Sequence, residues 1–176
     1  MGEHLHTPSF VAYYGLLQVH SRTFELIARE LEARTGLPAS WYEVMACLQS
    51  EPDGKRMNEL ADELLISRGG ATKLVARLEA AELVERFTPR SDRRATYAKL
   101  TAKGEQAVLE AHPVQLELTE QYFGRFLDRA ELAQLVGISS KVLGGLGADC
   151  AWLDAVTEGM GDLFPAGIPG AAANRA

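Results

Sequence analysis

The chain has 176 residues, 47% of them apolar, with 24 acidic and 18 basic side chains and a formal net charge of −6. That length suffices for one domain with a real core, and no apolar run approaches the ~20 residues that a membrane-spanning helix needs. The opening MGEHLHTPSF has neither a basic start nor an apolar stretch, so no secretory signal is expected and the expected compartment is the cytoplasm. Cys47 and Cys150 match no CxxC spacing, so neither a disulfide framework nor a zinc knuckle is indicated.

In residues 8–35, Phe10, Tyr13, Leu17, Phe24, Ile27 and Leu31 recur at steps of three, four and seven, which predicts a long first helix stopped by Gly36 and Pro38. Ser40 with Glu43 reads as a capping box for a second helix over WYEVMACLQS, ended by the turn Pro52-Asp53-Gly54. Asn58 can cap a short helix, NELADELL, and Ser67 a longer one, RGGATKLVARLEAAE, with Leu65 and Ile66 connecting them. After Glu82 the apolar period changes from helical to alternating. VERFTP and ATYAKL then predict a hairpin with a five-residue basic tip, Arg90-Ser91-Asp92-Arg93-Arg94. Thr101 can cap a helix reaching about residue 127 through Val108, Leu109, Val114, Leu118 and Phe123, with a kink expected at Pro113. Asp128 and Glu131 form a capping box for ELAQLVGISSKVLGGL, and PAGIPGAAANRA at the end predicts a poorly ordered tail.

The negative net charge argues globally against a nucleic-acid partner, but its distribution argues the other way. Residues 55–103 hold 11 basic and 7 acidic side chains, net +4, which leaves 7 basic and 17 acidic elsewhere, net −10. A basic middle on acidic flanks suits a DNA-reading segment carried on a scaffold. Within that middle, Ala71, Leu74, Val75 and Leu78 fall at i, i+3, i+4 and i+7 and make one core-facing stripe. Gly69, Thr72, Lys73, Ala76 and Arg77 then point outward, small near the helix start and basic further on, and no acidic residue occurs from Ser67 to Leu78. That face suits a helix end entering a major groove about 12 Å wide. The fold expected is mainly α with a small antiparallel β wing.

These residues resemble the MarR family of transcriptional regulators. The likeness is strong over about 39–109, where MNELADELLISRGGATKLVARLEAAELVER looks like that family's helix-turn-helix. Asp92-Arg93-Arg94 followed by Leu100-Thr101-Ala102-Lys103-Gly104 matches its wing signature, D-x-R and then LT-x-x-G. The resemblance implies that Arg94 enters a minor groove with Asp92 orienting it, a role suited to a narrow groove of enhanced negative potential. Arg90, Ser91 and Arg93 would add wing contacts, and Ser67, Arg68, Gly69, Gly70, Thr72, Lys73 and Arg77 would form the recognition helix. It further implies a homodimer that binds a palindromic operator, most simply as a repressor, released by a small-molecule effector. The matching organisation is a dimerisation helix at 8–38, a winged helix-turn-helix at 39–100, dimerisation helices at 101–160 and a flexible tail at 161–176.

Tyr13, His20, Trp41, Tyr42 and His112 lie where the family often forms an effector pocket, and core or interface packing explains them equally well. Cys47, among Val44, Met45 and Leu48, reads as a packing thiol; thiol-sensing relatives carry their cysteine early in the first helix, which here has none. His4, His6, His20 and His112 include no i, i+4 pair, so no metal site or cofactor is expected. No nucleophile–base arrangement or phosphate loop points to an enzyme. The alternative is a winged helix used for protein contact without DNA, which would have no reason for the basic face and tip.

Overall fold

The computed structural model describes residues 7–89 and 94–147. In chain order they form α1 (Pro8–Thr35), α2 (Ala39–Gln49), β1 (Lys55–Arg56), α3 (Met57–Glu63), α4 (Arg68–Ala80), β2 (Val84–Phe87), β3 (Tyr97–Leu100), α5 (Ala102–Tyr122), a short 3₁₀ turn (Gly124–Phe126) and α6 (Arg129–Gly145). The fold is mainly helical with one small antiparallel sheet, as expected. No helix among the described residues is long and apolar enough to cross a membrane. Residues His4, His6, Arg90, Ser91, Asp92, Arg93, Cys150 and the tail lie outside the described residues.

The expected first helix is found at its expected bounds because both ends are chemically marked. Thr7 Oγ1 accepts from Phe10 N–H at 3.2 Å, Pro8 fills the first turn, and Gly36 closes the far end in the left-handed conformation at φ 72°. Thr101 and the Asp128–Glu131 capping box also act as expected: Thr101 Oγ1 accepts from Gly104 N–H at 3.0 Å, and Asp128 Oδ1 from Glu131 N–H at 2.9 Å.

Four expectations need correction. The second helix begins at Ala39, where Pro38 O accepts from Trp41 and Tyr42 N–H at 2.9 and 3.1 Å; Ser40 supplies no cap. Asn58 lies inside α3, whose start is fixed just before it by Glu59 accepting from Arg56 N–H at 3.3 Å. That start is forced by β1, a strand absent from the sequence reading, which pairs Lys55 with Ala98 and Arg56 with Tyr97. The hairpin strands are shorter than expected, their last registered pair being Phe87 with Tyr97. Finally, α5, with Pro113 inside it, ends at Tyr122, short of the expected residue 127, and Gly124 opens the 3₁₀ turn.

The sheet order is β1-β3-β2. The chain divides after Tyr122 into two units. The core of the first gathers Leu31 of α1, Val44, Met45 and Leu48 of α2, Leu60 of α3, Val75 and Leu78 of α4, Val84 and Ala98 of the sheet, and Val108 and Leu118 of α5. Only the C-terminal end of α1 joins it. Phe10, Tyr13, Leu17 and Phe24 of the expected apolar stripe are exposed, along with Val11, Tyr14, Leu16 and Val19. A bidentate pair, Arg34 Nη1 and Nη2 to Glu117 Oε1 and Oε2 at 3.0 and 2.7 Å, ties α1 to α5.

Candidate nucleic-acid interface

The stripe that places α4 behaves as its spacing requires: Ala71, Val75 and Leu78 are buried, Leu74 is half-buried, and Gly69, Thr72, Lys73, Ala76 and Arg77 are exposed. Ser67 Oγ caps the helix by accepting from Gly70 N–H at 3.1 Å. A Cβ on Gly70 would stand 3.2 Å from that oxygen, so its lack of a side chain has a packing reason. Gly69 has none, because a Cβ there would meet nothing within 4 Å. Thr72 Oγ1 donates to Arg68 O at 2.8 Å, which turns its hydroxyl back onto the helix.

Wing tip aside, the cations of this region sort into two groups. Those on or beside the sheet are held by carboxylates: Lys55 by Glu63, with Glu51 at 3.9 Å, Arg56 with Glu59 at 4.0 Å, and Lys99 with Glu85 at 2.9 Å. Arg86 Nε donates to Glu79 Oε2 at 2.9 Å, a bond that holds the Glu79 carboxyl below its ordinary range. Lys103 donates to Ala81 O at 2.8 Å with Glu82 at 3.5 Å. On α4, Arg68, Lys73 and Arg77 are all exposed, and no carboxylate among the described residues pairs with their side chains. Among the described residues, α4 therefore presents three exposed cations that no carboxylate holds.

Residues 35–95 match the sequence profile of the MarR family. AbsC, a MarR family transcriptional regulator from Streptomyces coelicolor, is 26% identical over 82% of this chain and 95% of its own, with a TM-score of 0.71. Sco3205, a MarR family regulator from the same organism solved in complex with DNA, is 25% identical over 81% and 93%, with a TM-score of 0.73. Over these residues, and in its winged helix, the chain is similar to these regulators. CouR, a transcriptional repressor solved on a 23-mer DNA duplex, shares the fold at 24% identity over 81% of this chain and 99% of its own, with a TM-score of 0.68. No curated protein matches the sequence. The family is one of transcriptional regulators and not of enzymes.

In the wing, Arg94 is the described member of the expected tip and is exposed. It lines a groove of about 350 Å³ with Arg56, Met57, Asn58, Ala95 and Thr96. The sequence reading did not connect Arg56 or Asn58 with Arg94. The pairing of β1 with β3 brings them together, and a two-residue strand, Lys55-Arg56, leaves no pattern in the sequence to find it by.

The five candidate pocket residues separate. His20 and Tyr42 line a cleft of about 210 Å³ with Thr23, Phe24, Ile27, Ala28, Ala39, Glu43 and Gln115. Tyr42 Oη lies 2.8 Å from His112 Nδ1, its ring stacked on the imidazole, and burial raises the phenol above its ordinary pKa. Tyr13 is 67% exposed, Trp41 packs at the core edge, and neither lines the cleft. Cys47 is half-buried beside Glu63, and burial above all pushes its thiol up to about 12. A thiol so strongly protonated is a poor nucleophile, as expected of a packing residue.

Proposed function

We propose that this chain is a transcriptional repressor that grips a palindromic operator as a homodimer, with α4 in the major groove and the wing tip in the flanking minor groove. The observation that carries the reading is the set Arg68, Lys73 and Arg77 on the exposed face of α4, which no carboxylate among the described residues pairs. Phosphate contacts draw on cations that are not already neutralised, and the release of condensed counterions makes such binding steeply salt-dependent. The solved complex of Sco3205 with DNA and the repressor CouR on its duplex support the same direction. The exposed apolar residues of the first half of α1 support a second copy as partner: they cover about four turns of helix that the described residues leave unburied. Two-fold symmetry would set two α4 helices on major grooves about 34 Å apart. Small-molecule release would act through the cleft around His20 and Tyr42.

The test is a selection of duplexes from a random library by the full chain, followed by affinity measured from low to high salt. A selected palindrome and a log–log slope of several units are expected. A winged helix used only for protein contact would select nothing and show no slope. Sedimentation of Leu17→Glu, placed on the exposed half of α1, tests the dimer. It is expected to run as a monomer and to bind the palindrome far more weakly, since the tethering of two half-site contacts is lost.

A further inference from the structure

The LT-x-x-G segment between wing and α5 is more than a helix cap. Thr101 makes three connections at once: its Oγ1 donates to Glu82 O at 2.6 Å and accepts from Gly104 N–H at 3.0 Å, and its own N–H donates to Leu83 O at 3.1 Å. Leu83 N–H in turn reaches back to Leu78 O at 2.9 Å, and Lys103 Nζ bonds Ala81 O, the end of α4. Gly104 lets this happen. A Cβ there would lie 1.9 Å from Leu83 O, so only glycine lets the first turn of α5 press onto the link between α4 and β2. Glu82, the residue clasped, is held at φ 61°, a left-handed conformation that non-glycine residues rarely adopt.

We infer that Thr101 is a positioning residue for DNA recognition: its hydroxyl clasps Glu82 O so that α4, the wing strands and α5 move as one body, and this sets where Arg94 meets the duplex. The inference rests on the reading of Arg94 as a DNA contact. The clasp acts at the root of β2, at the far end of the hairpin from the tip. A small rotation there is carried along both strands.

A double-mutant cycle on the selected duplex tests it, using Thr101→Val, Arg94→Ala and the pair in the full chain. Thr101→Val is expected to weaken binding about fivefold with Arg94 present and less than about twofold in the Arg94→Ala background, because coupled residues are non-additive. Thr101→Ser, which keeps the hydroxyl, should restore affinity. Thr101→Asp, which keeps the acceptor that caps α5 and removes the donor to Glu82, should behave like valine while melting as the parent does; it guards against misreading a lost cap. Equal losses from Thr101→Val in both backgrounds would overturn the inference and leave the wing reading standing. An Arg94→Ala variant that binds like the parent would overturn both.

Discussion

Two groups of cations lie within residues 55–103, and they are chemically alike but differently placed. Arg86, Lys99 and Lys103 flank the hairpin and each faces a carboxylate, Glu79, Glu85 and Glu82. Arg68, Lys73 and Arg77 stand on α4 with no such neighbour among the described residues. A paired cation brings little to a phosphate, because the ion pair it already makes must be given up for the new one. On the proposed reading the hairpin cations stiffen the wing, while the α4 cations remain available to a duplex, so a count of basic residues would overstate the interface.

The largest test of that contrast is Lys73→Ala with Arg77→Ala, against Lys99→Ala as the paired control. The double variant should lose about 2–4 kcal/mol of duplex affinity, and each lost phosphate contact should flatten the salt slope by about one unit. Lys99→Ala should change affinity by less than about 0.5 kcal/mol with the slope intact. Equal losses in the two variants, read by titration at several salt concentrations, would erase the distinction.

A second test concerns the bare end of the same face. Gly69 has room for a methyl group in the protein, so Gly69→Ala should raise thermal stability slightly, by up to ~1 kcal/mol, because alanine is the better helix former. Affinity should nevertheless fall by about 1 kcal/mol if the backbone there approaches the duplex closely, a split that calorimetry and titration together would reveal. Gly104 is the contrast: its alanine variant should lose stability first, since Leu83 O occupies the space.

What the sequence made legible follows how local each interaction is. The first helix was readable to the residue because its cap, proline and left-handed glycine all lie within it or beside it. The α4 stripe was readable because a helix face is set by spacing alone. The caps assigned to Ser40 and Asn58 failed for the same reason. Such patterns are common, and the true start of α3 was decided by β1 pairing with β3 forty residues on, which no local window contains. The sorting of cations was equally hidden, since the partner of Lys103 lies 21 residues away and that of Lys55 eight. Tyr42 and His112, 70 residues apart, were grouped by family likeness rather than by any pattern in the chain.

The smallest and sharpest test turns a silent cation into an available one. Glu79→Gln removes the carboxylate that holds Arg86, so Arg86 should begin to act as the α4 cations do. The expected result is a gain of about twofold in affinity for any duplex at low salt, a salt slope steeper by up to one unit, and no change in sequence preference. The pair should persist in mild acid, because its hydrogen bond to Arg86 depresses the Glu79 carboxyl below 4.5. A depressed carboxylate contributes stability that is present above its unfolded pKa and is lost as pH falls through the folded one. The stability difference between the parent and Glu79→Gln should therefore hold from neutral pH down to about 5 and close only below the ordinary carboxylate range. If the variant binds with an unchanged slope, Arg86 lies beyond the reach of phosphate, and position rather than pairing is what separates the hairpin cations from those on α4.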